Sequence, residues 1–557
     1  MFPRLITRYG LATHLALLAS LPFVLFPFLS PVDLSEVILA LSGISFLWLL
    51  VEPSMRAGEH LSLARRRVLG SLVRDVAFWF FLCAVAVALI RYVNSDIALD
   101  YVQADAKSTW IVREPTYPGL PASSGEAGLL PFAVMVGVSV VVLGIRHGIG
   151  LTGRISFGIT ASFVMGLGGL AMAVCACAQI PSFMGAAKVD FLEGPFWTPF
   201  WGPGFGAWLI CAIAFGAQAE ARKWGAARVP FCLAVAGNSC GLLFFSPPPV
   251  SSVFLVVAVL VGVFCLAYLG RAGSVGASAR SFVLMLLGFS TPFFFLTALL
   301  PDEVEFDECV RKNGAVTETV KEPVQNIYSV KAGGFLAIDK DQAEAYRTFS
   351  PLLSGFAKTI WKKHPWYGAG TGTFRLHIPF IASKEELRSF QRPKADDWRT
   401  LMITQQMKNS SRRARAKGKN AVPPFDWTAI RPYNRNPTCA FNSYWTFLAE
   451  HGLLGACVAL LVFGVLVFSY FVRLVQAVSF LRTQDDADVV VFACPPIVWI
   501  TPVMLVLMGV LALYEPVLDI VPMLFVFTVP LAVAAASFPK RSAKLARAAK
   551  TLERESH

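Results

Sequence analysis

The chain has 557 residues, of which 55% are hydrophobic and only 15% are charged. A soluble globular protein carries about 25% charged residues. This composition excludes a soluble enzyme, a disordered scaffold and a nucleic-acid-binding domain that happens to be basic. At about 20 residues per spanning helix, the length allows about a dozen helices and one sizeable segment outside the membrane. We therefore predict an all-α polytopic membrane protein.

Twelve apolar stretches along the chain are long enough to cross the hydrocarbon core of a membrane. They lie near 10–30, 34–51, 71–92, 129–145, 155–178, 203–219, 229–246, 250–269, 280–300, 452–472, 489–512 and 517–537. The first is expected to be an uncleaved anchor, because no small-residue cleavage site follows it. The pattern predicts four parts: a nine-helix transmembrane region (1–300), a mostly helical loop domain (301–444), a three-helix transmembrane region (445–537) and a basic tail (538–557).

Lysine and arginine are concentrated in every second short connection between the predicted spans. Arg65, Arg66 and Arg67 follow the second span, and Arg222 and Lys223 follow the sixth. Because cytoplasmic loops retain Lys and Arg, both termini and the tail are expected in the cytoplasm. The loop domain between spans 9 and 10 is then expected on the outer side.

Ionisable side chains inside a membrane mark ion or proton pathways, and the predicted spans hold few of them. Arg74 and Asp75 lie near the start of the third span, where they can pair or reach the interface, and Asp519 lies near the outer end of the twelfth. A transporter of polysaccharide or lipid is therefore disfavoured but stays open as an alternative.

The outer loop contains two informative stretches. Apolar residues such as Leu353, Phe356 and Ile360 recur at helical spacing before Pro365, which predicts an amphipathic helix along the membrane face. The following stretch, HPWYGAGTGTF (364–374), is rich in glycine. Such a run either wraps its N–H groups around an anion or simply forms a tight loop.

Two segments of this loop resemble the O-antigen ligase/polymerase superfamily. They are HPWYGAGTGTF (364–374), and FNSYWTFLAEHGLLG (441–455), in which an Asn, nine residues and a Gly-x-x-Gly follow one another. The matching positions are Pro365, Gly368, Gly370, Asn442, Gly452 and Gly455. The two segments occur in the family's order, and they cover only about 30 residues.

The resemblance implies transfer of a glycan from an undecaprenyl-pyrophosphate carrier to a glycan or lipid acceptor. It places this reaction at the periplasmic face of a bacterial inner membrane, in the assembly of cell-surface polysaccharide such as lipopolysaccharide. It implies no cofactor, no metal and no nucleic-acid partner. Phe441 stands where the family has its catalytic His. The sequence therefore leaves two readings open: a glycosyltransferase that uses another base, or a membrane protein that binds lipid-linked glycans without transferring them.

Transfer from a lipid pyrophosphate needs cations on the leaving phosphate and a base for the acceptor hydroxyl. Arginine suits the first task because its planar fork grips phosphate oxygens. The candidates beside the two segments are Arg347, Arg375, Arg431 and Arg435. The candidate bases are His364 and Glu450, and burial in the helix entering the membrane would raise the pKa of Glu450. Gly452 and Gly455 are expected to let a neighbouring helix approach closely.

Of the eleven cysteines, only Cys309 and Cys439 lie outside the predicted spans. The periplasm is oxidising, so a disulfide between them is an open prediction. It would tie the two ends of the loop domain, with about 4–5 kcal/mol of stabilisation in the chain-entropy model. The sequence has no Cys/His cluster with metal-ligand spacing, so no metal site is expected.

Overall fold

The computed structural model describes most of the predicted membrane region and part of the outer loop. The described residues are 10–25, 29–51, 60–97, 99–104, 107–184, 198–246, 248–271, 275–298, 303–308, 318–323, 340–383, 440, 442–482, 495–514 and 523–537. Cys309, Cys439, Arg431, Arg435, Phe441 and the tail 538–557 lie outside them. The disulfide and two of the four candidate arginines therefore stay predictions.

Helices dominate the described residues. In chain order they are α1 (Gly10–Leu25), α2 (Pro31–Val51), α3 (Leu61–Val73), α4 (Val76–Val93), α5 (Leu129–Leu143), α6 (Leu151–Met184), α7 (Thr198–Ala221), α8 (Arg228–Phe244), α9 (Pro248–Arg271), α10 (Val275–Ala298), α11 (Lys340–Lys363), α12 (Phe374–Ile381), α13 (Ser443–Arg482), α14 (Pro496–Leu511) and α15 (Met523–Ala536). A single π-helical turn, Gly144–Gly148, extends α5.

Two short antiparallel hairpins add to the all-α architecture predicted from composition. Strand β1 (Leu99–Ala104) pairs with β2 (Lys107–Val112), and β3 (Glu303–Glu308) pairs with β4 (Glu318–Pro323). Both lie in the segments between apolar runs, where composition gives no helical periodicity. In β2, the β-branched residues Thr109, Ile111 and Val112 and the aromatic Trp110 favour a strand.

Within the described residues, eight helices are long and apolar enough to cross a membrane. These stretches are Pro31–Leu50, Val76–Val93, Leu129–Gly148, Thr152–Val174, Gly202–Ala221, Gly225–Phe244, Val250–Gly270 and Ser443–Val475. The shorter apolar helices α1, α14 and α15 coincide with further predicted spans. This set of helices fits a multi-pass membrane protein, and the number of twelve spans stays a prediction.

The predicted third span begins later than expected. The chain leaves the helical path at Arg74–Asp75, and Asp75 caps α4 by accepting a hydrogen bond of 3.1 Å from the Ala77 N–H. Residues 71–73 belong instead to α3, a separate and more polar helix. A capping aspartate explains the break, because its carboxylate satisfies an N–H that has no partner at the start of a helix.

The Asp75 carboxylate contacts side chains in the π-helical turn that extends α5. Pairing was expected from its position near the start of a predicted span. Arg146 Nε lies 2.8 Å and His147 Nε2 lies 2.7 Å from the Asp75 carboxylate. Burial by itself raises the pKa of Asp75, but the hydrogen bonds from His147 and Arg146 outweigh burial and hold that pKa well below its usual value. The π-helical turn carries both partners, so it aims a guanidinium and an imidazole at one carboxylate.

The helix termini meet at two ends of the bundle. One end carries Asp75 and its partners and is called the Asp75 end. There, Arg65 Nε donates to the Leu50 carbonyl at 2.6 Å. The Arg154 guanidinium donates to the Ala536 carbonyl at the same end. The starts of α3, α4 and α6 therefore lie beside the last turns of α2, α5 and α15, respectively.

The opposite end carries residues 364–374 of the predicted loop domain and is called the Gly368 end. The Ser443 N–H donates to the Ala512 carbonyl at 3.0 Å, and the Gly202 N–H donates to the Phe245 carbonyl at 2.9 Å. The start of α13 thus lies beside the last residues of the α14 segment. Residues 364–374 pack against this start, so both motif segments lie at one end of the bundle.

The core between the ends combines large aromatic side chains with close backbone contacts. Phe205, Trp208 and Phe254 are among the largest fully buried side chains. A Cβ added at Gly237 would stand 1.8 Å from the Gly166 carbonyl oxygen. Helices α6 and α8 therefore touch through their backbones, as small residues allow in membrane helices.

Candidate functional site

Helix α11 packs its apolar face against α13. Leu353, Phe356 and Ile360 are buried, and the Lys358 ammonium lies 4.7 Å from the centre of the Trp445 ring. The sequence correctly predicted an amphipathic helix ending before Pro365. Protein covers its apolar face, and the expectation that the helix lies along the membrane face stays a prediction.

The two segments that carry the family resemblance are joined through their main chains. Four hydrogen bonds connect residues 365–370 with residues 449–454, and we call them the main-chain lock. They run from Ala369 N to Ala449 O (2.8 Å), Gly370 N to Glu450 O (3.1 Å), Leu453 N to Pro365 O (2.9 Å) and Leu454 N to Trp366 O (2.9 Å). Segments separated by about 80 residues of sequence therefore form one local structure.

Two glycines make this lock possible. Gly452 interrupts α13 with φ 61° and ψ −168°, and Gly368 has φ 74°. A Cβ on Gly452 would stand 2.3 Å from the Gly368 nitrogen, and a Cβ on Gly368 would stand 2.3 Å from the Glu450 carbonyl. The close approach expected at Gly452 is confirmed, but a loop makes it rather than a helix. At Gly455 the nearest neighbours are the His451 side chain and Arg91 Nη2.

Most N–H groups of the glycine-rich loop are bonded to protein acceptors. Besides the two donors in the lock, four further N–H groups of the loop have protein acceptors. They are Gly368 to His364 O (3.0 Å), Thr371 to Ala122 O (3.0 Å), Thr373 to Gly370 O (3.3 Å) and Phe374 to Glu450 Oε1 (3.2 Å). The tight-loop reading of 364–374 is therefore the one that the structure supports, and Gly368 and Gly370 act through packing.

Glu450 holds the site together from inside. Its side chain is buried, and Oε1 accepts the Phe374 N–H at 3.2 Å. Arg91, at the end of α4, is also buried and attracts the Glu450 carboxylate electrostatically. The Arg91 guanidinium donates to the His451 carbonyl at 3.2 Å and to the His451 ring. These contacts support a holding role for Glu450 rather than that of a base exposed to an acceptor.

Arg91 was missed by the sequence reasoning. It lies two residues before the end of a long apolar run. An arginine at this position ordinarily anchors a helix end at the membrane interface. The one available signal was that it is a lone charge between apolar neighbours, Ile90 and Tyr92. Only the fold shows that its partners come from residues 450–451, about 360 positions later.

A third segment closes the site from the side of α4. Asn94 donates to the carbonyls of Tyr117 (3.2 Å) and Pro121 (3.3 Å). The Ser123 hydroxyl donates to the Arg91 carbonyl at 3.0 Å, and the Ser124 N–H donates to the Thr371 carbonyl at 2.9 Å. The connection between α4 and α5 therefore contacts the glycine-rich loop directly.

Two histidines stand side by side next to the lock. The ring centres of His364 and His377 are 5.7 Å apart. Burial and the positive charge of Lys363 lower the pKa of His364. Burial, His364 and Lys363 lower the pKa of His377 to about 4. Both rings are therefore neutral near pH 7, but the lowered pKa values make them weaker bases than a free histidine. His364 stays a candidate base, with His377 beside it.

The remaining candidates have structural positions or undescribed side chains. Asn442 precedes α13, where its Oδ1 accepts the Trp445 N–H at 3.2 Å, as a helix cap does. Arg347 lies on α11, and Arg375 lies in the first turn of α12. Among the described residues, no group of three or more His, Cys, Asp or Glu side chains could hold a metal ion.

Comparison with known proteins assigns no family to the chain. No protein-family model matches it. No curated protein matches it significantly.

Proposed function

We propose that the protein transfers a glycan from an undecaprenyl-pyrophosphate carrier to a glycan or lipid acceptor at the Gly368 end of the bundle. The reaction is of the O-antigen ligase/polymerase type and belongs to the assembly of cell-surface polysaccharide. The observation that carries this proposal is the main-chain lock. It joins the two segments of the resemblance, although nothing in their sequence requires them to meet.

The side chains around the lock suit the chemistry of this transfer. The leaving pyrophosphate needs cationic groups, and the outer loop has more Lys and Arg than Asp and Glu. The acceptor hydroxyl needs a base that is neutral at working pH. His364 is the proposed base, with His377 beside it; both rings are neutral near pH 7, although their lowered pKa values make them weaker bases than a free histidine. Arg347, Arg375, Arg431 and Arg435 are the arginines proposed to bind the pyrophosphate.

A second candidate function follows from Phe441, which replaces the family's catalytic His. A phenyl ring accepts no proton, and Glu450 is committed to the Phe374 N–H. The alternative is a non-catalytic protein that binds lipid-linked glycans during assembly. A transporter finds less support, because the buried charged side chains among the described residues, Arg91, Glu220 and Glu450, lie near helix ends.

We propose that the membrane is the bacterial inner membrane and that twelve spans cross it. The Asp75 end would face the cytoplasm, with both termini, and the Gly368 end with the loop domain would face the periplasm. The basic residues Arg65, Arg146 and Arg154 at the Asp75 end support this orientation, because cytoplasmic ends are rich in Lys and Arg.

The decisive experiment reconstitutes the full-length protein in liposomes with an undecaprenyl-pyrophosphate-linked oligosaccharide and an acceptor glycan. Release of undecaprenyl pyrophosphate and formation of the joined product are both measured. Transfer should fall strongly in His364→Ala, because a base is lost. The matched control Gly464→Ala, on the same helix as Gly452 but with open space around it, should keep full activity.

Binding and transfer are then separated with Phe441→His. If the wild type retains the lipid-linked oligosaccharide without releasing the carrier, and Phe441→His gains transfer, the binding function is the correct one. Neither retention nor transfer in any variant would refute both candidate functions.

A further inference from the structure

Helix α3 lies across the Asp75 end rather than through the bundle. Near its start, Arg65 Nε contacts the Leu50 carbonyl at the end of α2. Near its end, the Ser71 hydroxyl lies 3.1 Å from His147 Nδ1, at the end of α5. Because only two residues separate α3 from α4, α3 ends at the depth where a membrane-crossing helix starts.

The inner face of α3 is fixed to the bundle. Ala64, Val68 and Leu72, spaced four residues apart, are buried. The contacts of Asp75 with Arg146 and His147 hold the chain two residues after the end of the helix. The helix therefore presents a constant outer face to its surroundings.

That outer face combines apolar and basic side chains. Leu63, Leu69 and Val73 are 55%, 42% and 52% exposed. Arg66 and Arg74 are exposed as well, and within the described part of the chain neither forms an ion pair. Exposed apolar residues mixed with arginine are typical of a helix in the membrane interface. The apolar side chains enter the acyl region there, while the guanidinium groups extend to the headgroups.

We propose that α3 binds anionic phospholipids of the leaflet at the Asp75 end, with Arg66 and Arg74 gripping the headgroup phosphate. The guanidinium fork matches phosphate geometry, and the apolar side chains beside it need an acyl chain rather than water. This combination selects a lipid over free inorganic phosphate. The proposal does not depend on the reaction at the Gly368 end.

The test is native mass spectrometry of the full-length protein, titrated separately with phosphatidylglycerol and with phosphatidylcholine. The wild type should prefer phosphatidylglycerol, and Arg66→Ala/Arg74→Ala should reduce that preference by about tenfold or more, as expected for two interfacial cations. Arg66→Lys/Arg74→Lys keeps both charges and should retain most of the preference. Both sites are exposed, so the melting temperature of each variant should match that of the wild type.

Two further measurements make the result decisive. Raising ammonium acetate from about 0.1 M to about 1 M should weaken the wild-type preference, because salt screens exposed charges. Added inorganic phosphate should not displace the lipid. Equal affinity for the two lipids in the wild type, or an unchanged preference in the double alanine variant, would overturn the proposal.

Discussion

Replacing Gly452 by alanine should open the main-chain lock while leaving the helices of the bundle folded. Gly452 has φ 61° and ψ −168°, a backbone conformation that is essentially restricted to glycine. The new Cβ would stand 2.3 Å from the Gly368 nitrogen and 2.6 Å from the Trp366 carbonyl oxygen. Both neighbours are backbone atoms, so they cannot rotate away.

The magnitude follows from two contributions. Holding alanine in this conformation costs about 1–3 kcal/mol. Local separation at Gly452 also removes two of the four hydrogen bonds of the lock, those from the Leu453 and Leu454 N–H groups, both 2.9 Å long, at about 1 kcal/mol each. The lock should therefore lose about 3–5 kcal/mol. Opening of that size accelerates amide exchange in the joined segments by about a hundredfold or more.

Hydrogen–deuterium exchange of the full-length protein in lipid nanodiscs measures this opening. Peptides covering 365–374 and 449–456 should exchange faster in Gly452→Ala, while peptides from α6 and α8 should not change. Gly464→Ala is the control, because no atom lies within 4 Å of a Cβ added there. Unchanged exchange in both motif peptides of Gly452→Ala would show that the lock does not depend on this glycine.

Three further perturbations test other contacts. Arg91→Ala should lower stability by about 3 kcal/mol because it leaves the buried Glu450 without its cation; thermal unfolding measures the loss, and an unchanged midpoint would contradict the pairing. The region around His377 should become less stable as the pH falls from about 6.5 to about 4. The pKa of His377 is about 4 in the folded protein and 6.5 in the unfolded chain. The unfolded chain therefore binds more protons in this pH range, which favours unfolding. Amide exchange should show that His377→Asn loses most of this acid sensitivity. If the sensitivity persists in the variant, another group causes it. Asp75→Asn should destabilise the protein by about 3 kcal/mol by leaving Arg146 without its carboxylate, and a melting temperature equal to that of the wild type would refute this.

Local sequence was sufficient to predict most helices. Long apolar runs such as Val250–Gly270 can bury their polar backbone in a membrane only as helices. The helix before Pro365 was also predictable, because its apolar positions repeat at helical spacing. The break at Arg74–Asp75 was missed, since a capping aspartate next to an apolar run looks like the start of that run. The two hairpins were missed because short strands in polar segments carry little periodic signal.

The sequence by itself determined the class of the protein and the segments worth examining. The glycines of 364–374 and 441–455 marked two places where the backbone needs freedom, but they did not show what approaches them. Only the tertiary structure decided that these segments bond to each other and that most N–H groups of the loop are occupied by protein. It also showed that Arg91 serves residues 450–451. The physical reason is that hydrogen bonds and charge pairs form between groups brought together in space, whereas periodicity and capping act over a few residues of sequence.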